Sequence, residues 1–137
     1  MTFFGHASTT GGFDQNIDDP STYENKGKYP LLVGNSCFTG DIHTDSKLST
    51  SETFVLIKDK GVIGFLASVD LGFESVLHQY STELFRNIGQ LNYGGYLGES
   101  IQHTITSIQG DGSNELVRGV CLQMTLHGDP AVQINAQ

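Results

Sequence analysis

The sequence contains no tryptophan, only two cysteines, three prolines and seven basic residues among its 137. Two cysteines exclude a disulfide-dense scaffold. Seven bases against fifteen acids leave a net charge of −8. That balance argues against nucleic acid as the main partner, because phosphate binding needs a basic face. No apolar run approaches the ~20 residues of a membrane span. The opening residues Met1-Thr2-Phe3-Phe4-Gly5-His6 carry neither the basic region nor the long apolar core of a signal peptide. Internal repeats, charge blocks and low-complexity tracts are missing as well. What is present fits one domain of ordinary apolar content, rich in glycine.

Apolar segments alternate with polar ones in a readable order. Thr2-Phe3-Phe4 reads as the last residues of a buried strand, so the chain is expected to start inside a domain. Residues 5–28 form a long polar stretch. The run from Tyr29 to Gly34 is a second buried strand, followed by a polar loop from Asn35 to Thr50. Ser51 to Lys58 reads as a helix, capped by Thr50 or Ser51 and ended by Gly61. Val62 to Ser68 is a third strand. Leu77, Tyr80 or Ser81, Leu84 and Ile88 share one side of a helix from Glu74, with Gly89 as its C-cap. Leu97, Ile101, Ile105 and Ile108 mark another helix, and Leu116 to Met124 a fourth. His127-Gly128-Asp129-Pro130 reads as a turn and residues 131–134 as a terminal strand. Strands alternating with amphipathic helices predict an α/β sandwich with a mostly parallel sheet.

In such sheets, ligands sit beyond the carboxyl ends of the strands. Two chemically capable residues fall there: His6 after the first strand and Cys37 after the second. If those strands are parallel neighbours, ~5 Å apart, the two side chains can face each other. A thiolate is a nucleophile, and an adjacent imidazole takes its proton. Gly5, Gly34 and Gly40 would admit a substrate backbone. The plainer alternative is a buried structural cysteine and a loop histidine hydrogen-bonded locally.

Several segments together resemble the gingipain-type cysteine peptidases. Phe3-Phe4-Gly5-His6-Ala7-Ser8 is similar to that family's strand and Gly-His-Gly motif. The segment from Tyr29 to Gly40, with Asn35-Ser36-Cys37 at its centre, resembles the strand that delivers the catalytic cysteine. Gly61 to Ser68 resembles the next strand, whose end helps wall the specificity pocket, and Gly72-Phe73 fits the short turn after it. Leu97-Gly98-Glu99-Ser100-Ile101 looks like a late helix of the family, and Leu126-His127-Gly128-Asp129-Pro130 like its closing turn.

The resemblance implies a caspase-like three-layer α/β/α sandwich, present here as one partial, N-terminally truncated domain over residues 1–137. It implies a cysteine endopeptidase with Cys37 as nucleophile and His6 as general base and acid. The backbone N–H groups of Ala7 and Cys37 would form the oxyanion hole. Gly5, Ser36 and Ser68 are the substrate-binding candidates. The expected partner is a protein or peptide substrate, with other domains of a longer parent chain, outside the cell or at its surface. Two alternatives stay open. One is an inactive caspase-like binding or scaffold module. The other is a sortase-like transpeptidase in bacterial protein export. The chain departs from the family at Ala7, where glycine is usual, and in the absence of the strands and helices that precede the histidine. Those upstream elements include an acidic residue that orients the histidine.

No cofactor is expected. Asp41, His43 and Asp45 alternate after Cys37 but match no tight zinc pattern. Oxygen donors at Asp14, Asp18, Asp19, Asp41 or Asp45 leave a structural calcium ion open, without EF-hand spacing. Cys121 reads as core, His78 and His103 as surface, His127 and Asp129 as turn residues, and Tyr93 and Tyr96 as cover for the core edge.

Overall fold

The computed structural model describes residues 1–8, 12–14, 19–43, 48–110 and 114–134. The chain separates into two compact units, Met1–Gly72 with Gln123–Gly128, and Phe73–Leu122 with Asp129–Gln137.

The first unit carries the sheet. Its strands are β1 (Thr2–Phe4), β4 (Leu31–Asn35), β5 (Gly64–Ser68) and β6 (Met124–Gly128), in the order β1-β4-β5-β6. β1, β4 and β5 are parallel, and β6 is antiparallel to β5. A short hairpin of β2 (Ala7–Ser8) and β3 (Gly12–Phe13) follows β1. β4 and β5 are buried at all five positions, as their unbroken apolar runs require.

Beside the sheet stands α1 (Thr50–Val55), whose N-cap is Ser49. The Ser49 hydroxyl accepts from the Glu52 N–H at 3.3 Å, and the Glu52 carboxylate accepts from the Ser49 N–H at 2.7 Å. This reciprocal pair, not Thr50 or Ser51, starts the helix. The helix also stops earlier than its apolar pattern suggests. It ends at Val55, and Gly61 turns the chain at φ +77°, where a Cβ would lie 2.1 Å from the Phe54 carbonyl oxygen. Leu32, Phe54, Val62, Phe65 and Ala67 form the buried core here, with Phe13 and Tyr23 packed against it. The rings of Phe3, Phe13, Phe65, Phe54 and Tyr23 touch in succession. Each fully buried Phe or Leu contributes about 1.5–3 kcal/mol relative to exposure.

β6 replaces what the sequence suggested as the end of a helix and a turn. The Cys121-to-Met124 spacing and the Gly-Asp-Pro tripeptide favour that reading. Yet Met124, Thr125, Leu126, His127 and Gly128 pair one to one with Ser68 back to Gly64. The pairing hydrogen bonds override a weak local pattern.

The second unit is helical: α2 (Glu74–Arg86), α3 (Leu97–Ile108) and α4 (Glu115–Gln123), the last running directly into β6. α2 buries Val76, Leu77, Tyr80, Ser81 and Leu84, the face expected from spacing. It continues as a π-helical turn, Asn87–Leu91, so Gly89 lies inside the helix and does not cap it. The turn closes with the Asn92 N–H donating to the Asn87 carbonyl at 2.8 Å. α3 buries Leu97, Ser100, Thr104 and Ile108; Ile101 and Ile105 are only half-buried. The stripe is rotated because Thr104 bonds the Asn87 side chain at 3.2 Å and the Ser100 carbonyl at 2.7 Å. Residues 131–134 make one isolated bridge, Tyr96 to Gln133, in place of a strand.

Candidate active site

The parallel register fixes where the two candidate residues leave the sheet. Phe4 of β1 lies opposite Asn35 of β4, and the Gly5 N–H continues the ladder to the Asn35 carbonyl at 3.2 Å. His6 and Cys37 therefore stand at equivalent positions, each two residues past a paired strand end. Neighbouring strands are ~4.8 Å apart. His6 is exposed and Cys37 half-buried. Among the described residues no hydrogen bond joins the two side chains; the sulfur's partner is Gly72. The Gly72 N–H donates to Cys37 Sγ at 3.4 Å, and Sγ lies 4.0 Å from the Gly72 carbonyl oxygen.

The loop that carries Cys37 is pinned from several sides. The Phe38 N–H donates to the Asp70 carbonyl at 3.2 Å, and the Gly40 N–H to the Ser68 carbonyl at 2.9 Å. The Ser51 N–H donates to the Thr39 carbonyl at 3.1 Å, and the Ser36 and Thr39 hydroxyls share a buried bond of 3.1 Å. Two glycines permit this closeness. A Cβ on Gly34 would sit 2.7 Å from the Phe65 ring, and one on Gly40 2.8 Å from the Ala67 carbonyl oxygen. Phe38, immediately after the cysteine, holds φ +58°. A bulky residue in this left-handed region costs roughly 1–3 kcal/mol and persists only where its surroundings enforce it. Such residues concentrate at functional sites.

On the other strand, the Asp14 N–H donates to the His6 carbonyl at 2.9 Å. Among the described residues no peptide bond is cis, so the Ala7 N–H points opposite to the His6 carbonyl. Ala7 does not adopt a positive φ; alanine carries no left-handed strain there. Gly5 is half-buried and leaves room for the Phe3 ring, 2.9 Å from where its Cβ would stand.

Ser36 and Ser68 are buried. The Ser68 hydroxyl donates to the Asp70 carbonyl at 2.9 Å and accepts from the Asp70 N–H at 3.3 Å. Both serines spend their side chains on the loops that hold the site.

His127 sits on β6, opposite Phe65, and not in a turn. Its imidazole faces the Gly40 carbonyl and the Glu52 carboxylate, while burial holds it below the ordinary histidine range. Its Nε2 is buried without a hydrogen-bond partner among the described residues. One backbone hydrogen bond and one side-chain hydrogen bond from Ser49 hold Glu52 below the usual carboxylate range. Neither His127 nor Gly72 stands out by sequence spacing, because both reach the site through pairings from distant segments.

The other expected positions are scattered. Asp41 Oδ1 accepts from the His43 N–H at 3.0 Å, and Asp19 caps the 3₁₀ turn at Pro20–Thr22. Asp18 and Asp45 lie outside the described residues, and among the described residues no three His, Cys, Asp or Glu side chains gather as a metal site. Cys121 is buried, and burial pushes its thiol up. His78 and His103 are exposed, as are Tyr93 and Tyr96. Asp129 Oδ1 accepts from the Ala131 N–H at 2.8 Å, closing its own turn.

The sequence profile of Peptidase family C25 matches residues 1–135. The chain belongs to peptidase family C25. Among solved structures, the chain is similar to one described as a protease. That match has TM-score 0.79 and 15% identity, over 96% of this chain and 34% of the other. It is also similar to the crystal structure of the Arg-specific cysteine proteinase gingipain R, at TM-score 0.72 and 18% identity, over 97% of this chain and 32% of the other. No curated protein matches in sequence. The chain thus spans about one third of the length of each matched structure. Within family C25, its fold is the α/β, caspase-like fold of gingipain, with a mostly parallel mixed sheet.

Proposed function

We propose that this C25 chain carries the nucleophile and the base of a cysteine endopeptidase: Cys37 and His6. The observation that carries the reading is the register of β1 and β4, which sets both residues at the same step beyond the carboxyl edge of a parallel sheet. The strained, multiply bonded loop after Cys37 supports it, since a nucleophile gains from being held in place before substrate arrives.

The reaction follows from these groups. His6 takes the Cys37 thiol proton, and the thiolate attacks the carbonyl carbon of a peptide bond. The carbonyl π electrons move onto oxygen, where the Ala7 and Cys37 N–H groups donate to the developing charge. Collapse breaks the C–N bond, and the His6 imidazolium protonates the departing amine. A water molecule, deprotonated by His6, then attacks the thioester. The C–S bond breaks, the acid product leaves, and the sulfur regains a proton. Gly5, Ser36 and Ser68 shape the approach, the two serines by fixing backbone. The substrate is a protein or peptide, and the resemblance to secreted and surface peptidases supports a site of action outside the cell or at its surface.

A panel of peptidyl acyloxymethyl ketones tests the assignment. The expected result is one covalent adduct on Cys37, detected by mass, absent in Cys37→Ala and strongly reduced in His6→Ala. Cleavage of a peptide pool in the presence of an added amine then separates hydrolysis, which gives the free acid, from transfer, which gives the amide. No adduct on Cys37 and no cleavage would favour an inactive binding module.

A further inference from the structure

The sulfur of Cys37 has a partner that the Cys–His chemistry does not use. We propose that the Gly72 main-chain N–H is a second donor to the Cys37 thiolate, making the loop after β5 part of the catalytic machinery. This rests on the assignment of Cys37 as nucleophile.

The geometry is specific. The Gly72 N–H donates to Sγ at 3.4 Å, an ordinary length for a bond to sulfur, while the Gly72 carbonyl oxygen is farther, at 4.0 Å. The neutral thiol donates weakly to the Gly72 carbonyl at 4.0 Å while it accepts from the Gly72 N–H; on ionisation only the accepted bond survives, and an anionic sulfur accepts far better than a neutral thiol. Cys37 is half-buried, so water screens this bond only in part.

The donor is also held in place. Ser68 bonds Asp70 on both sides of its hydroxyl, at 2.9 and 3.3 Å, and the Leu71 N–H donates to Asp70 Oδ1 at 2.7 Å. The Phe38 N–H to Asp70 carbonyl bond, 3.2 Å, ties this loop to the loop of the cysteine. The Asp70 carboxylate, the one charge in the 68–72 loop, is occupied by the Leu71 N–H. Gly72 has no positive φ, so its contribution to the site is its N–H.

The chemical consequence is a trade. Donation to the thiolate raises its population at neutral pH, but it also withdraws charge from sulfur and lowers nucleophilicity. The charge leaves sulfur during attack, so the bond weakens as the thioester forms. Gly72 and His6 therefore act in parallel on one atom, one by a fixed dipole and one by taking the proton.

Gly72→Pro removes the N–H. The readout is iodoacetamide alkylation of Cys37 across pH, with buried Cys121 as the reference for global opening. In alkylation the thiolate sulfur displaces iodide from carbon, so the rate reports thiolate directly. The expected variant is about tenfold slower than wild type at pH 7, where less of its sulfur is thiolate, and equal or faster near pH ~9.5. A rate unchanged at both pH values, or depressed equally at both, overturns the proposal. If Gly72→Pro exposes Cys121, the wild-type protein decides by NMR. The Gly72 amide proton should then shift across the pH range in which Cys37 becomes reactive, and stay fixed in Cys37→Ala; a Gly72 proton indifferent to Cys37 overturns the proposal. Failure of the nucleophile reading itself looks different: wild-type Cys37 would be no faster than Cys121.

Discussion

Replacing Gly40 by alanine measures how firmly the Cys37 loop is seated on β5. The Gly40 N–H donates to the Ser68 carbonyl at 2.9 Å. A Cβ added at Gly40 would lie 2.8 Å from the Ala67 carbonyl oxygen, 3.1 Å from its carbon and 3.2 Å from the Ser68 oxygen. All three are backbone atoms of a buried strand, so no side chain can swing aside. The loop must lift. Overpacking of this kind costs about 1–3 kcal/mol, and loss of the Gly40 hydrogen bond about 0.5–1.5 kcal/mol. The expected destabilisation is thus about 1.5–4.5 kcal/mol, read from urea denaturation. Cys37 alkylation at pH 7 should change with it, because Phe38 and Thr39 share the same seat. Gly119→Ala is the matched contrast. Gly119 lies inside α4 with nothing within 4 Å of its Cβ position, so alanine there should stabilise by about 0.5–1 kcal/mol. A Gly40→Ala protein as stable as wild type would refute the tightly seated loop.

Two further outcomes follow from buried polar groups. The Tyr80 hydroxyl is fully buried without a partner among the described residues, and burial pushes its ionisation far up. Tyr80→Phe should leave stability unchanged or raise it by about 1 kcal/mol, measured by thermal unfolding; a clear loss would reveal a partner for the hydroxyl. His127 is held below its ordinary value of 6.5, chiefly by burial. The unfolded chain therefore binds more protons between that lowered value and 6.5. His127 contributes stability that is present above pH 6.5 and lost as pH falls through its folded value. Urea denaturation from pH 7.5 to 5 should show a decline in stability that is shallower in His127→Gln; parallel curves would contradict the burial account.

The parts of the molecule legible in the sequence are those written in strong local patterns. The apolar runs around Leu32 and Phe65, and the face from Leu77 of α2 to Ile88 of the π-helical turn, are buried as their spacing indicates. The strand ends at Gly5-His6 and Asn35-Ser36-Cys37 could be placed because parallel strands carry their ligand side at one edge. Features that depend on pairing from far along the chain could not. Nothing local marks Met124–Gly128 as a strand, since β5 supplies its hydrogen bonds. The two-residue strands of the β2–β3 hairpin are too short to show a period. The rotation of α3 toward Ser100 and Thr104 depends on Asn87, a residue of another element. Gly72 and Phe38 escaped for the same reason: a backbone N–H aimed at sulfur and a left-handed phenylalanine leave no mark in residue type.

The central claim is that His6 and Cys37 work together. Its most direct test is the rate of Cys37 alkylation in the wild-type protein and in His6→Ala, with Cys121 as the internal reference. The account predicts that wild-type Cys37 reacts at least about tenfold faster than Cys121 at pH 7, because thiolate is the reactive form and Cys121 is buried as thiol. His6→Ala should remove most of that advantage. A slow Cys37, indifferent to the loss of His6, would contradict it.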